Sequence, residues 1–105
     1  MGRKMKLIDC NPKWGTANDV ACYLIFDCPE GHEDCKHAVP FTPALDGTPQ
    51  VSPQANQAQW DRTGDNFETI TLSPSIRRIP IPGRDDCALH IFIKNGLIEF
   101  CGDSR

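Results

Sequence analysis

Two cysteine–histidine pairs are the residues of this chain whose spacing best suits metal binding. Cys28 and His32 lie four positions apart, and Cys87 and His90 lie three positions apart. Two thiolates and two imidazoles form a ligand set that suits tetrahedral zinc. Because a long stretch of chain separates the two pairs, a zinc ion bound by all four side chains would join distant parts of the fold.

Cys35 and His37 form a competing pair, with a single residue between them. Residues two apart in an extended strand share a face but stand well separated, so this spacing predicts poor geometry for chelation. The remaining cysteines lie in or beside apolar runs and have no nearby histidine. Because free cysteine is among the most buried residue types, we expect these three in the core: Cys10, Cys22 and Cys101.

Length, charge and cysteine content narrow the class of protein. The chain has 105 residues, six cysteines and a formal net charge of −3, which fits one domain at 1–105 and argues against a general nucleic-acid binder. No apolar run has the length of a membrane span or of a secretory signal. We therefore expect a cytoplasmic protein, and in a reducing compartment a cysteine cluster indicates a metal site more often than disulfides.

The elements that must position these side chains are predicted to be strands. Residues 20–27 form a continuous apolar run typical of a buried strand, residues 37–42 a short strand, and residues 67–72 a strand that alternates with period two and ends at Ser73–Ser75. Residues 4–9 could form an edge strand and residues 16–21 one helical turn. Prolines and glutamines mark residues 43–59 as a long loop, and prolines make residues 76–86 irregular. The fold class is mainly β, a small antiparallel sheet with long proline-rich loops and a zinc ion joining its parts.

The C-terminal region carries the clearest local signal. Asn95-Gly96 separates the apolar runs 89–94 and 97–101, which predicts a β-hairpin because both turn positions need positive φ. In a regular strand Cys87 and His90 would point to opposite faces. Both can bind one ion only if the chain bends near Cys87, with His90 on the face of Phe92.

Several of these motifs resemble one known family. Cys28-Pro-Glu-Gly-His32, Trp60, the segment around Ser73-Pro-Ser75, and Cys87-Ala-Leu-His90 with its hairpin are similar to BubE-type domains, found in phage genomes and in bacterial ubiquitin-like (Bub) operons. The resemblance covers roughly residues 20–101. Where this chain has Cys28, Glu30 and His32, the family usually has Cys-Pro-Cys-Gly-Cys. The resemblance therefore implies a zinc site with altered ligands, in which Glu30 is an alternate to Cys28 or His32. Cys35 and His37 remain alternates because of their spacing alone.

The Bub-operon members look like peptidases that process a ubiquitin-like protein. Carried over by motif, the resemblance implies Ser75 as the nucleophile and His90 as its base. A hydroxyl becomes a good nucleophile only when a base within hydrogen-bond reach takes its proton. Asp85, Asp86 or Glu99 could orient the imidazole. The alternative is a purely structural role, in which Ser75 caps a turn after a proline.

Two functions therefore stand beside each other. The first is a zinc-binding β domain that acts by binding a protein partner, such as a ubiquitin-like or host protein. The second is a peptidase or other hydrolase with Ser75 as nucleophile. A zinc hydrolase, with Glu30 or Asp86 as base, is a variant of the second. A zinc-bound His90 could not also serve as the base for Ser75, so the position of this imidazole separates the hypotheses.

Overall fold

The computed structural model of the protein describes residues 4–17, 19–31, 35–48, 59–78 and 89–101. These residues form eight strands and one short 3-10 turn at Leu7–Cys10. The strands are β1 (Lys4–Lys6), β2 (Lys13–Ala17), β3 (Val20–Asp27), β4 (Lys36–Thr42), β5 (Trp60–Thr63), β6 (Thr71–Arg78), β7 (Leu89–Lys94) and β8 (Leu97–Phe100). No helix in this part of the chain is long and apolar enough to cross a membrane.

The strands form one sheet in the order β1-β8-β7-β6-β5-β4-β3-β2. Every neighbouring pair is antiparallel except β4 and β5, which run parallel. The predicted class, a mainly β protein with a small antiparallel sheet, is confirmed. The predicted loop at 43–59 lies in part outside the described residues. Its first residues form a turn in which the Ala44 amide donates to Thr48 and the Gly47 amide to Ala44.

Alternation along the strands separates an inner face from an outer face. In β7, Leu89, Ile91 and Ile93 are buried, whereas His90, Phe92 and Lys94 are half-buried or exposed. The strands β3, β4 and β8 follow the same period of two. Most of the buried strand residues join a single cluster that Leu7 and Cys10 of the 3-10 turn complete. The predicted position of His90, on the face of Phe92, is therefore confirmed.

The C-terminal hairpin is confirmed as β7–Asn95-Gly96–β8. Asn95 and Gly96 have φ values of 51° and 76°, the left-handed conformations that a two-residue hairpin turn of this kind requires. The turn also contacts its neighbours through backbone amides. Asn95 donates to the Thr71 hydroxyl at 2.8 Å, and Gly96 donates to the Ile70 carbonyl at 2.9 Å. The hairpin thus fixes the start of β6.

The prediction for residues 67–75 was wrong in its boundaries. The strand begins at Thr71, because residues 66–69 turn through hydrogen bonds to Asn66. It does not end at Ser73-Pro-Ser75 but continues to Arg78, into a segment predicted to be irregular. A proline cannot donate to a sheet ladder, so it is confined to edges and bulges. Here Pro74 occupies a bulge, and the strand continues beyond it.

The N-terminal predictions also need correction. The strand predicted at 4–9 ends at Lys6, where the 3-10 turn begins. The helical turn predicted at 16–21 is absent from the described residues there. Instead Lys13–Ala17 is a strand that pairs with β3 and has a register shift at Gly15/Thr16. The alternation in β2 is too short and too polar to indicate a strand without its partner.

Candidate active site and candidate metal centre

The centre of β6 bulges away from β7. Leu72 pairs with Ile93 and Ile76 pairs with Ile91, so the three residues between Leu72 and Ile76 lie opposite the single residue Phe92. Bulges of this kind bend a strand and turn side chains in new directions, and they are common beside active sites. Ser73, Pro74 and Ser75 form this bulge. Ser75 lies three residues after buried Leu72 and directly before buried Ile76. Its own side chain is half-buried.

The bulge brings Ser75 to the imidazole of His90. The distance from Ser75 Oγ to His90 Nε2 is 3.1 Å, and both side chains are half-buried on the outer face. When the proton is on Nδ1, the Ser75 hydroxyl donates to Nε2. This arrangement has the geometry that activation of a serine hydroxyl by a neighbouring base requires.

A tryptophan holds the backbone of the bulge in place. The Trp60 indole N–H donates to the Ser75 carbonyl oxygen at 3.1 Å. Trp60 is the first residue of β5 and is half-buried. Sequence reasoning gave Trp60 no role in the site. Its position between a loop and a strand could have suggested a role, because an amphipathic tryptophan usually donates its indole N–H when it is partly buried.

The carboxylate that would orient His90 has one described candidate. His90 accepts a backbone hydrogen bond from Cys101 at 2.9 Å, so Cys101 lies directly across from it. Glu99 pairs with Phe92 on the same outer face and is therefore a diagonal neighbour of His90, within the reach of a long side chain. The other two predicted candidates, Asp85 and Asp86, lie outside the described residues.

A second cluster forms where β3 and β4 join. The Cys28 amide donates to the Cys35 carbonyl at 2.9 Å, which places the two cysteines opposite each other just beyond the ends of the strands. The Gly31 amide donates to the Cys28 carbonyl at 3.0 Å, with Gly31 at φ 81°, so the chain turns back directly after Cys28. The hairpin therefore brings together two thiols that are seven positions apart in the sequence.

His37 completes this Cys/His cluster of Cys28, Cys35 and His37. The ligand atoms of the three side chains all lie within 4.8 Å of one another. His37 is buried, with its ring 5.5 Å from that of Phe26, and its Nε2 lies 3.6 Å from Cys35 Sγ. Tetrahedral zinc at about 2.3 Å from sulfur and 2.1 Å from nitrogen would place these two atoms about 3.6 Å apart. The donor set and its spacing thus fit a zinc ion.

The two sites lie on opposite faces of the sheet. Cys28 and His37 are buried with the inner face, whereas His90 is at Ser75 on the outer face. Of the predicted zinc ligands Cys28, His32, Cys87 and His90, only Cys28 belongs to the described cluster. His32 and Cys87 lie outside the described residues, and their role stays a prediction, as does that of Glu30.

The prediction that Cys35 and His37 stand too far apart to chelate is wrong. They share a face, as expected for residues two apart, but Cys35 precedes the strand and its thiol approaches the ring. The spacing argument assumed that both residues lie in regular strand. The missed signal was the separation of Cys28 and Cys35 along the sequence. Seven positions are few enough for a hairpin that brings the two thiols together.

The cysteines predicted for the core follow two patterns. Cys10 and Cys22 are buried, whereas Cys101 is half-buried at the end of β8. Burial, together with the nearby charges of Asp9, Asp27 and Cys28, raises the pKa of the Cys10 thiol to about 11. The thiol of Cys10 therefore stays protonated at neutral pH, the form that does not ligate metals.

These features define a class of protein: a mainly β domain with a serine–histidine pair on one face of its sheet and a Cys/His cluster on the other. The family model described as "Bacterial ubiquitination-like system serine protease (BubE)" matches residues 10–101. The chain belongs to the BubE family, and the resemblance seen in its motifs is confirmed. No curated protein and no solved structure matches the chain.

Proposed function

We propose that this chain is a serine hydrolase of the peptidase type, with Ser75 as nucleophile and His90 as general base. The observation that carries the proposal is the 3.1 Å distance between Ser75 Oγ and His90 Nε2. The description of the family as a serine protease of a ubiquitination-like system supports a protein substrate. A ubiquitin-like protein or a protein joined to one is the substrate class that this description favours.

The chemistry follows from the placement of the two side chains. Ser75 Oγ bonds to the substrate carbonyl carbon while its proton passes to His90 Nε2. The tetrahedral intermediate then expels the amine, which takes that proton from His90. Water attacks the acyl-enzyme by the same route and releases the acid. The Ser75 amide lies outside the registers of β6 with β5 and β7, and we assign it as one donor to the oxyanion.

A fluorophosphonate reagent tests the pair without knowledge of the substrate. The serine oxygen bonds to phosphorus and fluoride leaves, so the label reports an activated hydroxyl. We expect peptide mapping to find the label on Ser75. His90→Ala should slow labelling by about 10²–10⁴-fold, the usual contribution of a general base.

The matched control is Ser73→Ala, because Ser73 is an exposed serine in the same bulge. This variant should label at the wild-type rate, whereas Ser75→Ala should not label. Equal labelling of the Ser73→Ala and Ser75→Ala variants, or a rate indifferent to His90→Ala, would contradict the proposal.

We also propose that Cys28, Cys35 and His37 hold a structural zinc ion, with His32 as the predicted fourth ligand. The support is the cluster of two sulfurs and one nitrogen within 4.8 Å. A zinc ion there would link the two strands of the hairpin, and a site closed by four protein ligands supplies stability rather than a reactive water.

Metal analysis of protein purified without chelator tests this second proposal. We expect about one zinc per chain. Replacing an outer-shell partner of a metal ligand costs about 10–100-fold in affinity, so losing a ligand itself through Cys28→Ala or His37→Ala should cost at least that much. Cys22→Ala is the control, because Cys22 is a buried cysteine outside the cluster. Full zinc content in Cys28→Ala would refute the site.

A further inference from the structure

An open cleft separates the beginning of β4 from the end of β6. The strand between them, β5, is short: it pairs with β4 only at Phe41 and Thr42, and with β6 only from Thr71 to Ser73. Beyond the start of β5, no described strand lies between the two. A cleft of about 440 Å³ is present there, within the range of ligand sites.

The cleft has a mainly apolar floor and a basic rim. Its floor includes Val39, Ile76 and the buried side chain of His37 from the Cys/His cluster. Its rim includes Lys36, Ala38 and Arg77, which are exposed on the outer face.

Trp60 closes one end of the cleft and donates to the carbonyl of Ser75, the residue that precedes Ile76 in β6. This end of the cleft therefore lies beside the backbone of the proposed nucleophile.

We propose that this cleft binds the substrate polypeptide as an added strand between β4 and β6, with Arg77 selecting an acidic side chain near the cleaved bond. The inference rests on the proposed peptidase function and names the conformation and charge of its substrate. Strand addition suits an exposed sheet edge because backbone hydrogen bonds give affinity and alternate side chains give specificity. An extended chain bound here would run along Ile76 and Arg77, the two residues that follow Ser75 in β6.

The two faces of the cleft predict the pattern of the bound segment. Successive side chains of a strand point to opposite faces, so every second residue would meet the apolar floor at Val39 and Ile76. The residues between would lie at the outer rim. Lys36 already pairs with Asp27 at 2.7 Å, and this ion pair partly neutralises the positive charge that Lys36 presents to the cleft. Arg77 therefore carries the selection in this proposal.

Binding of short labelled peptides to the Ser75→Ala chain tests the inference without cleavage. The probes are a fluorescein-labelled valine–glutamate alternating hexapeptide and its valine–lysine counterpart, followed by fluorescence anisotropy at low ionic strength. We expect the glutamate probe to bind more tightly. Arg77→Glu should weaken it roughly fivefold, the upper range for an exposed charge pair. Lys13→Glu, an exposed charge reversal on β2 at the far edge of the sheet, should leave the affinity unchanged.

Methylation of the probe's backbone amides tests the added strand itself. Each blocked central N–H should weaken binding roughly fivefold, because it removes a hydrogen bond to a strand edge. A methyl on the terminal amide should have no effect. Arg77→Gln replaces Arg77→Glu if thermal melting shows that the charge reversal unfolds the chain. Absence of glutamate-probe binding, indifference to central methylation, or equal effects of Arg77→Glu and Lys13→Glu would overturn the inference.

The two proposals fail separately. If fluorophosphonate labels Ser75 but the glutamate probe does not bind, the cleft proposal is wrong and the peptidase proposal stands. If the probe binds as expected but Ser75 is not labelled, the peptidase proposal fails, and with it the claim that the bound segment is a substrate.

Discussion

At the scale of single residues, the candidate active site depends on where one bulge aims one side chain. Ser75 reaches His90 Nε2 at 3.1 Å because the three bulged residues of β6 lie opposite the single residue Phe92. The Trp60 hydrogen bond to the Ser75 carbonyl is the described side-chain contact that fixes this backbone. Trp60 is thus a positioning residue, since it acts through the bulge and not on the hydroxyl.

Trp60→Phe tests this positioning role. The aromatic ring is retained and the single donor to Ser75 is lost, so the free energy of unfolding should fall by about 1 kcal/mol. A small displacement of a nucleophile can be costly, and we expect fluorophosphonate labelling to slow by roughly ten- to a hundredfold. The measurement pairs labelling rates with denaturant unfolding.

Trp14→Phe is the control for this experiment. Trp14 packs against Phe67 with ring centroids 4.3 Å apart and has no described contact with the bulge. This variant should lose stability without a matching loss of labelling. If both tryptophan variants slow labelling equally, Trp60 has only a structural role.

At the scale of elements, local signals predicted some parts of the fold and missed others for physical reasons. The β7–β8 hairpin was predictable because its turn needs positive φ at two adjacent positions, which Asn95-Gly96 supplies. The course of β6 was not, because Pro74 indicates an end to a strand unless a partner permits a bulge. The Cys/His cluster was missed as a set because it depends on the pairing of Cys28 with Cys35. The family resemblance did indicate Ser75 and His90, but their proximity depends on that bulge.

The hairpin turn yields a prediction at the same scale. Gly96 has φ 76°, and a Cβ on it would lie 2.5 Å from the Glu68 carbonyl oxygen. Gly96→Ala should therefore lower the free energy of unfolding by about 3 kcal/mol, from backbone strain and the required displacement of residues 68–70. Denaturant unfolding measures the loss.

Gly47→Ala is the matched control, because Gly47 has φ 89° and a Cβ there would meet nothing within 4 Å. It should cost about 1 kcal/mol from backbone strain alone. Losses of equal size for the two variants would mean that the contact between the turn and residue Glu68 is easily relaxed.

At the scale of the whole molecule, the hydrophobic core and the candidate active site lie on opposite faces of the sheet. Its inner face buries the apolar cluster and the ligand atoms of Cys28 and His37, whereas its outer face presents Ser75 and His90. Buried area on one face alone stabilises a small chain only modestly. A zinc ion at the β3–β4 hairpin would add to that stability without touching the serine. The zinc-hydrolase alternative requires the reverse. In that case the metal ion itself must contact the substrate, so removing it would abolish the reaction.

Removal of zinc separates these two roles. With free zinc about 1,000 times its dissociation constant, binding should stabilise the fold by about 4 kcal/mol, so a chelator should lower the Tm markedly. Below the new Tm, fluorophosphonate should still label Ser75 to within about twofold of the untreated rate, since a closed structural site takes no part in the reaction. Cys28→Ala should show the lowered Tm without chelator and no further response to it. Loss of Ser75 labelling in chelated protein whose circular dichroism is still native would instead assign the metal to catalysis.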